Sequence, residues 1–157
     1  MNVETNGVRW VTVDTEGQEV SLHGRGDGPG LIVAAGSPEE GAGMIVLDDG
    51  TGYRFVGALL NLLDGDPVQP EALDLLSPTV AQLWSWWGTA VVDPDDGIRR
   101  GVMIANTGTD LVLCAGRVQQ ADGRNTGATA VPLGDARRVA EAALAILDGV
   151  DPWEVTG

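Results

Sequence analysis

Lysine is absent from this 157-residue chain, and all nine of its basic residues are arginine. No Schiff-base lysine and no phosphate-loop lysine can therefore exist in it. Lysine is ordinarily among the commonest residues, so its absence beside abundant Ala, Gly, Val and Asp is the composition expected of a high-GC genome, an actinobacterium or one of its phages. A sharper reading is selection against modification of lysine side chains. Cysteine is nearly absent too. Cys114 stands alone inside the apolar run Leu111 to Ala115, which excludes an internal disulfide and reads as a small buried hydrophobe. With one histidine, His23, and one tyrosine, the inventory for acid–base chemistry reduces to carboxylates, and no spacing forces two of them into one pocket. The chain is expected not to be an enzyme and to need no cofactor.

Long apolar runs are missing as well. No stretch reaches the roughly 18 residues a membrane helix needs, and Met1-Asn2-Val3-Glu4 lacks the basic-then-apolar layout of a signal peptide. The expectation is a cytoplasmic protein, or a virion-associated one, with no membrane partner. Positive charge is scarce: 23 acidic residues against nine arginines give a formal net charge of −14. Phosphate binding depends on clustered Arg and Lys, so direct nucleic-acid binding is not expected. The acidic surface can solvate, steer a basic protein partner into contact, or mimic the DNA backbone.

What the chain does have is an internal repeat. Val11-Thr12-Val13-Asp14-Thr15-Glu16-Gly17, Glu19-Val20-Ser21-Leu22 and Gly30-Leu31-Ile32-Val33-Ala34-Ala35-Gly36 are followed by Val91-Val92-Asp93-Pro94-Asp95-Asp96-Gly97, Gly101-Val102-Met103-Ile104 and Asp110-Leu111-Val112-Leu113-Cys114-Ala115-Gly116. Each run closes on a helical segment ending Leu-Asp-Gly, at Leu63-Asp64-Gly65 and Leu147-Asp148-Gly149, and the offset stays between about 79 and 84 residues. Short apolar runs separated by turn residues predict strands near 8–14, 19–24, 30–35 and 43–48 and a helix over 53–64; the second half repeats them near 89–93, 99–105, 110–118 and 127–132, with a helix over 135–148. Asp135 is the expected N-cap of that second helix and Gly149 its stop.

The predicted fold is α+β: tandem ββββα repeats related by a pseudo-twofold axis, in one wide antiparallel sheet or a partly closed barrel, with both helices on one face. Residues 1–66 form the first repeat, 67–88 a Pro-rich helical connector and 89–157 the second repeat, all in one fused unit. Its element order resembles the sheet-and-helix arrangement of helix-grip and saddle folds. Leu31 and Leu111, Leu60 and Leu144, and Leu63 and Leu147 are expected at equivalent buried places.

The connector carries most of the aromatic mass. Pro70 can open a short helix over 71–76, and Ser77-Pro78 can cap a second in which Val80, Leu83, Trp84 and Trp87 fall on one apolar stripe. On such a helix Trp86 points away from its own core. Trp84, Trp86, Trp87 and Trp153 all lie outside the repeated strands, and large aromatic anchors dominate binding interfaces, so these four are the candidate partner-binding residues.

Other motifs dissolve into turns. Arg25-Gly26-Asp27 lies in a Gly-rich hairpin; Asp93-Pro94-Asp95-Asp96-Gly97 resembles the front of a calcium loop, but the position needing a bidentate Glu is Ile104, so no metal site is expected. His23 could act as a base only if folding brought Asp27 or Asp110 to it. The resulting expectation is a non-enzymatic, protein-binding accessory or inhibitory factor that forms a homo-oligomer through its spare aromatics. The alternatives are a self-assembling virion or capsid-associated protein, an acidic DNA-mimic inhibitor, and last a carboxylate-based enzyme.

Overall fold

The computed structural model of the protein describes residues 5–13, 18–36, 43–75, 84–118 and 126–156, with the backbone alone for 126–130. Four antiparallel strands come first: β1 (Thr5–Val13), β2 (Glu19–Arg25), β3 (Gly30–Gly36) and β4 (Gly43–Asp48). Helix α1 (Asp49–Asp64) follows, then a 3-10 turn (Leu73–Leu75). The second sheet is built from β5 (Ser85–Val92), β6 (Arg99–Asn106), β7 (Asp110–Arg117) and β8 (Thr126–Pro132), and it leads into α2 (Leu133–Leu147) and the short α3 (Pro152–Thr156). The chain is thus α+β, with two four-stranded antiparallel sheets and three helices.

The wide single sheet is not what forms. Each sheet runs in sequence order, β1-β2-β3-β4 and β5-β6-β7-β8, and β3 and β4 cross over β7 and β8 face to face. Strand chemistry favours stacking. Leu31, Ile32 and Val33 are apolar on both faces of β3, so a sheet covered on one face only would leave large groups in water, whereas stacking buries them. Helices α1 and α2 pack on each other, and each touches both sheets. One core results, joining Trp10, Leu22, Leu31 and Ile45 of the first sheet, Trp87, Ile104 and Leu113 of the second, and Phe55, Leu59, Val139 and Ile146 of the helices.

Cross-strand register places Trp10 opposite Leu22, itself opposite Val33; in the second sheet Trp87 lies opposite Ile104, itself opposite Leu113. On the helices, Phe55, Val56, Leu59 and Leu62 are buried in α1, and Val139, Ala140, Ala143 and Ile146 in α2. Leu31 and Leu111 are fully buried as expected. Leu60, Leu63 and Leu147 only flank the core, and Leu144 is 37% exposed, because the sheet-facing stripe of each helix runs one position earlier. Close helix approach is set by Gly52, where a Cβ would come within 2.8 Å of Leu147 Cδ2.

Both Leu-Asp-Gly ends work as helix stops. Gly65 (φ 78°) donates to Leu62 O while Asp66 donates to Asn61 O; Gly149 (φ 76°) donates to Ile146 O while Val150 donates to Ala145 O. These are paired Schellman closures, which only a residue tolerating positive φ allows. The starts differ. Asp48 caps α1 by accepting from the Thr51 N–H at 2.7 Å, whereas α2 begins behind Pro132 with no side-chain cap, so Asp135 is a first-turn acid and not the N-cap.

The connector departs most from expectation. Helix 71–76 is replaced by the 3-10 turn, and the expected helix through 78–87 lies outside the described residues up to 83, beyond which β5 begins at Ser85. A tryptophan pair and Val91-Val92 suit a pleated strand better than a helix, and β6 offers a partner along its whole length. Tertiary pairing overrides the helical spacing.

Candidate functional site

β5 turns its side chains to opposite faces, and this decides the fate of the connector tryptophans. Trp87 points into the main core, 6.3 Å from Phe55 between ring centroids. Trp86 points to the outer face of the second sheet, where it is 8% exposed among Met103, Ala105, Cys114, Leu75 and Trp84. Trp86 thus faces away from the main core as expected, but its own chain covers it there, so it is not left open for a partner. Trp84, half-buried just before β5, joins the same cluster.

A strap of connector secures that face. The Glu71 and Ala72 N–H groups both donate to Gly88 O, at 2.8 and 3.1 Å, along the outer edge of β5. Glu71 accepts from the Thr89 hydroxyl at 2.9 Å and from Arg54, and Arg99 grips both oxygens of Asp74. Leu75 lies so close over the sheet that a Cβ on Gly88 or Gly101 would approach its methyls within 2.8 or 2.9 Å. Those two glycines are where the strap needs bare backbone.

The corresponding outer edge of the first sheet is different. β1 carries a bulge: its register shifts between Thr5, opposite Arg25, and Arg9, opposite His23. Gly7 takes φ 87°, and the Asn6 side chain accepts from the Val8 N–H at 3.0 Å. Beside the bulge, a cleft of about 540 Å³ opens between residues 6–9 and the turn joining α2 to α3, lined by Val8, Arg9, Ile146, Val150, Asp151 and Trp153.

Trp153 is the one sequence-predicted residue placed on an accessible surface with a fixed pose. Its indole N–H donates to Arg9 O at 2.7 Å, its backbone N–H to Asp151 at 2.9 Å, and its ring lies 6.0 Å from that of Trp10. Trp10 is itself buried and donates to the Thr156 hydroxyl. Trp153 nevertheless stays 49% exposed, with exposed Val150 and Val155 in the same short segment and exposed Val13 at the end of β1. Asp148, Asp151 and Glu154 are exposed around them. Sequence reasoning found Trp153 but missed the cleft, since nothing in the spacing of residues 6–9 and 146–153 says that they meet.

The remaining candidates are satisfied locally. Arg25 and Asp27 close on each other at 2.7 Å. Arg100, with its side chain 11% exposed, pairs with Asp96 at 3.0 Å and Asp93 at 3.7 Å, so arginine occupies the carboxylates of the calcium-like turn. Among the described residues no three candidate ligands come together to hold a metal. His23 meets the Ser21 hydroxyl at 3.3 Å, while Asp27 is held by Arg25 and Asp110 by Thr109. Burial first and the nearby Arg9 second lower the His23 pKa below its ordinary value, which keeps the ring neutral near pH 7. Burial pushes the Cys114 thiol up to about 11, away from thiolate chemistry. Among the described residues no helix is long and apolar enough to cross a membrane.

No protein-family model matches the chain, and no curated protein matches it.

Proposed function

We propose that this protein is a non-enzymatic binding domain, an accessory or inhibitory factor of a high-GC bacterium or its phage, that engages a basic protein partner through the surface around Trp153. The observation that carries this reading is an indole pinned by two hydrogen bonds, its own and its backbone's, yet half exposed among Val150 and Val155. A preorganised aromatic loses little side-chain freedom on binding, which is what makes such residues anchors. The net charge of −14 favours encounter with a cationic surface. Trp86 and Trp87 serve packing in this reading, and Trp84 helps them.

We also propose that the fold is a duplicated ββββα unit about a pseudo-twofold axis. Matched rows Trp10–Leu22–Val33 and Trp87–Ile104–Leu113, the buried helix stripes and the twin Schellman ends support it.

Screening a displayed random-peptide library against the wild type and Trp153→Ala tests the binding reading. Selected ligands should be rich in Arg and Lys, and should lose about thirtyfold or more in affinity on Trp153→Ala at nearly unchanged Tm. Ligands that bind Trp153→Ala as tightly as the wild type would overturn it.

A further inference from the structure

The two sheets present equivalent outer edges, at β5 and β1, and the chain treats them differently. Along β5 the connector bends at Glu71, donates two N–H groups to Gly88 O and lays Leu75 over the sheet. Along β1 the one outside donor among the described residues is the Trp153 indole on Arg9 O. In an antiparallel pair, alternate residues turn both backbone groups away from the neighbouring strand. Arg9 accepting from the far side of β2 puts Val11 and Val13 in the same outward set, and among the described residues nothing bonds their backbone there.

We infer that the open edge of β1 over 11–13, next to the Arg9 carbonyl that Trp153 occupies, is a strand-addition site for an extended, cationic segment of a partner protein. Three observations converge on that occupant. The β5 edge is already covered by another stretch of the chain, which bonds to Gly88 O through two N–H groups, so this architecture accepts added polypeptide at that position. Val13, Trp153 and Val155 offer apolar surface next to the edge, which suits alternate side chains of an added strand. Asp151 lines the cleft, Asp148 and Glu154 stand exposed in the same short segment, and Arg9 already faces Glu19 at 3.8 Å, so positive charge on the incoming strand is complementary. A second copy of this chain would bring another −14 to the same place. The bulge at 5–9 ends the regular ladder on one side and so limits the site to the residues beyond it.

The inference rests on the protein-binding reading but fails separately from it. The full chain, isotope-labelled, is titrated with a decapeptide of alternating Val and Arg, with its Val–Glu counterpart, and with a Val–Arg peptide N-methylated at every residue, while amide shifts and hydrogen exchange are followed. The Val–Arg peptide should shift residues 9–13 and 149–155, slow exchange of the Val11 and Val13 amides about tenfold or more, and bind at least about tenfold tighter than Val–Glu. N-methylation should abolish the slowing because it removes the strand's donors, without any change to the protein. Val11→Pro should do the same from the protein's side, an outward N–H on an edge strand being a position where proline is tolerated.

Equal binding of Val–Glu would overturn the cationic preference. Shifts around Trp153 without protection of Val11 and Val13 would overturn strand addition while leaving the protein-binding reading standing. Protection of those amides in free protein that sediments as a dimer would assign the edge to a second copy. No response at millimolar peptide would overturn both readings.

Discussion

Trp10 and Trp87 occupy the same place in their sheets: first strand, inner face, opposite Leu22 and Ile104. Their surroundings diverge. Trp87 is closed over by Phe55 of the helix and by a strand edge that the connector straps, whereas Trp10 is backed by Trp153 of the last short helix, beside an edge that stays open. The difference teaches how one architecture yields a structural half and an accessible half. Two peptide N–H groups from the connector cover the β5 edge at Gly88, and among the described residues the other half has no equivalent segment in that place.

The largest test of this comparison is at the two tryptophans themselves. Trp87→Ala should destabilise by about 3–5 kcal/mol, and Trp10→Ala by a similar amount, since both leave a large cavity in one shared core. Urea midpoints measure it. A Trp10 variant that costs less than about 1 kcal/mol would show that the first sheet's edge is peripheral.

Next are the helix positions. Leu62→Ala and Ile146→Ala, buried at matching places in α1 and α2, should each cost about 2–5 kcal/mol, while half-exposed Leu144→Ala should cost less than about 1.5 kcal/mol. The reverse ranking in urea midpoints would mean that α2 packs through another face.

The strap sharpens the contrast between edges. Glu71→Ala leaves the buried Thr89 hydroxyl without its acceptor and frees Arg54, so stability should fall by about 1–3 kcal/mol. Hydrogen exchange near Gly88 should rise toward that of the β1 edge. Unchanged exchange would show that the backbone bonds hold the strap without Glu71.

The smallest effect separates the helix starts. Backbone donation from Thr51, first among the causes, holds the Asp48 carboxyl below its ordinary pKa. A depressed acid stabilises the fold above its unfolded pKa and loses that contribution as pH falls through the folded one. Asp48→Ala should therefore cost about 1 kcal/mol near neutral pH and progressively less as the solution is acidified below the ordinary carboxylate range, read from melting curves across pH. At Pro132, which starts α2 without a side-chain cap, no such acid dependence should arise.

Much of this fold was legible along the chain. Alternation of Val20 and Leu22 with Glu19 and Ser21, the turns at 26–29 and 106–109, and the two Leu-Asp-Gly stops come from interactions within a few residues, which spacing records directly. The segment 84–88 was illegible for the opposite reason. Its tryptophan spacing suits a helix, and only the presence of β6 alongside makes it a strand. Of the four candidate tryptophans, Trp153 alone is left accessible in a fixed pose, through contacts with Arg9 and Trp10 more than 140 positions away in the chain.

By itself, then, the sequence determined the order of the strands and the two long helices, the Leu-Asp-Gly ends of those helices, the scarcity of basic and nucleophilic groups and the excess of acid, because each of these is set by composition or by neighbours in the chain. Tertiary structure alone decided that two sheets stack instead of joining, that Trp86 is enclosed, and that the β5 edge is strapped while the β1 edge lies open beside Trp153. Those outcomes depend on which distant surfaces bury each other best, and no local pattern encodes that competition.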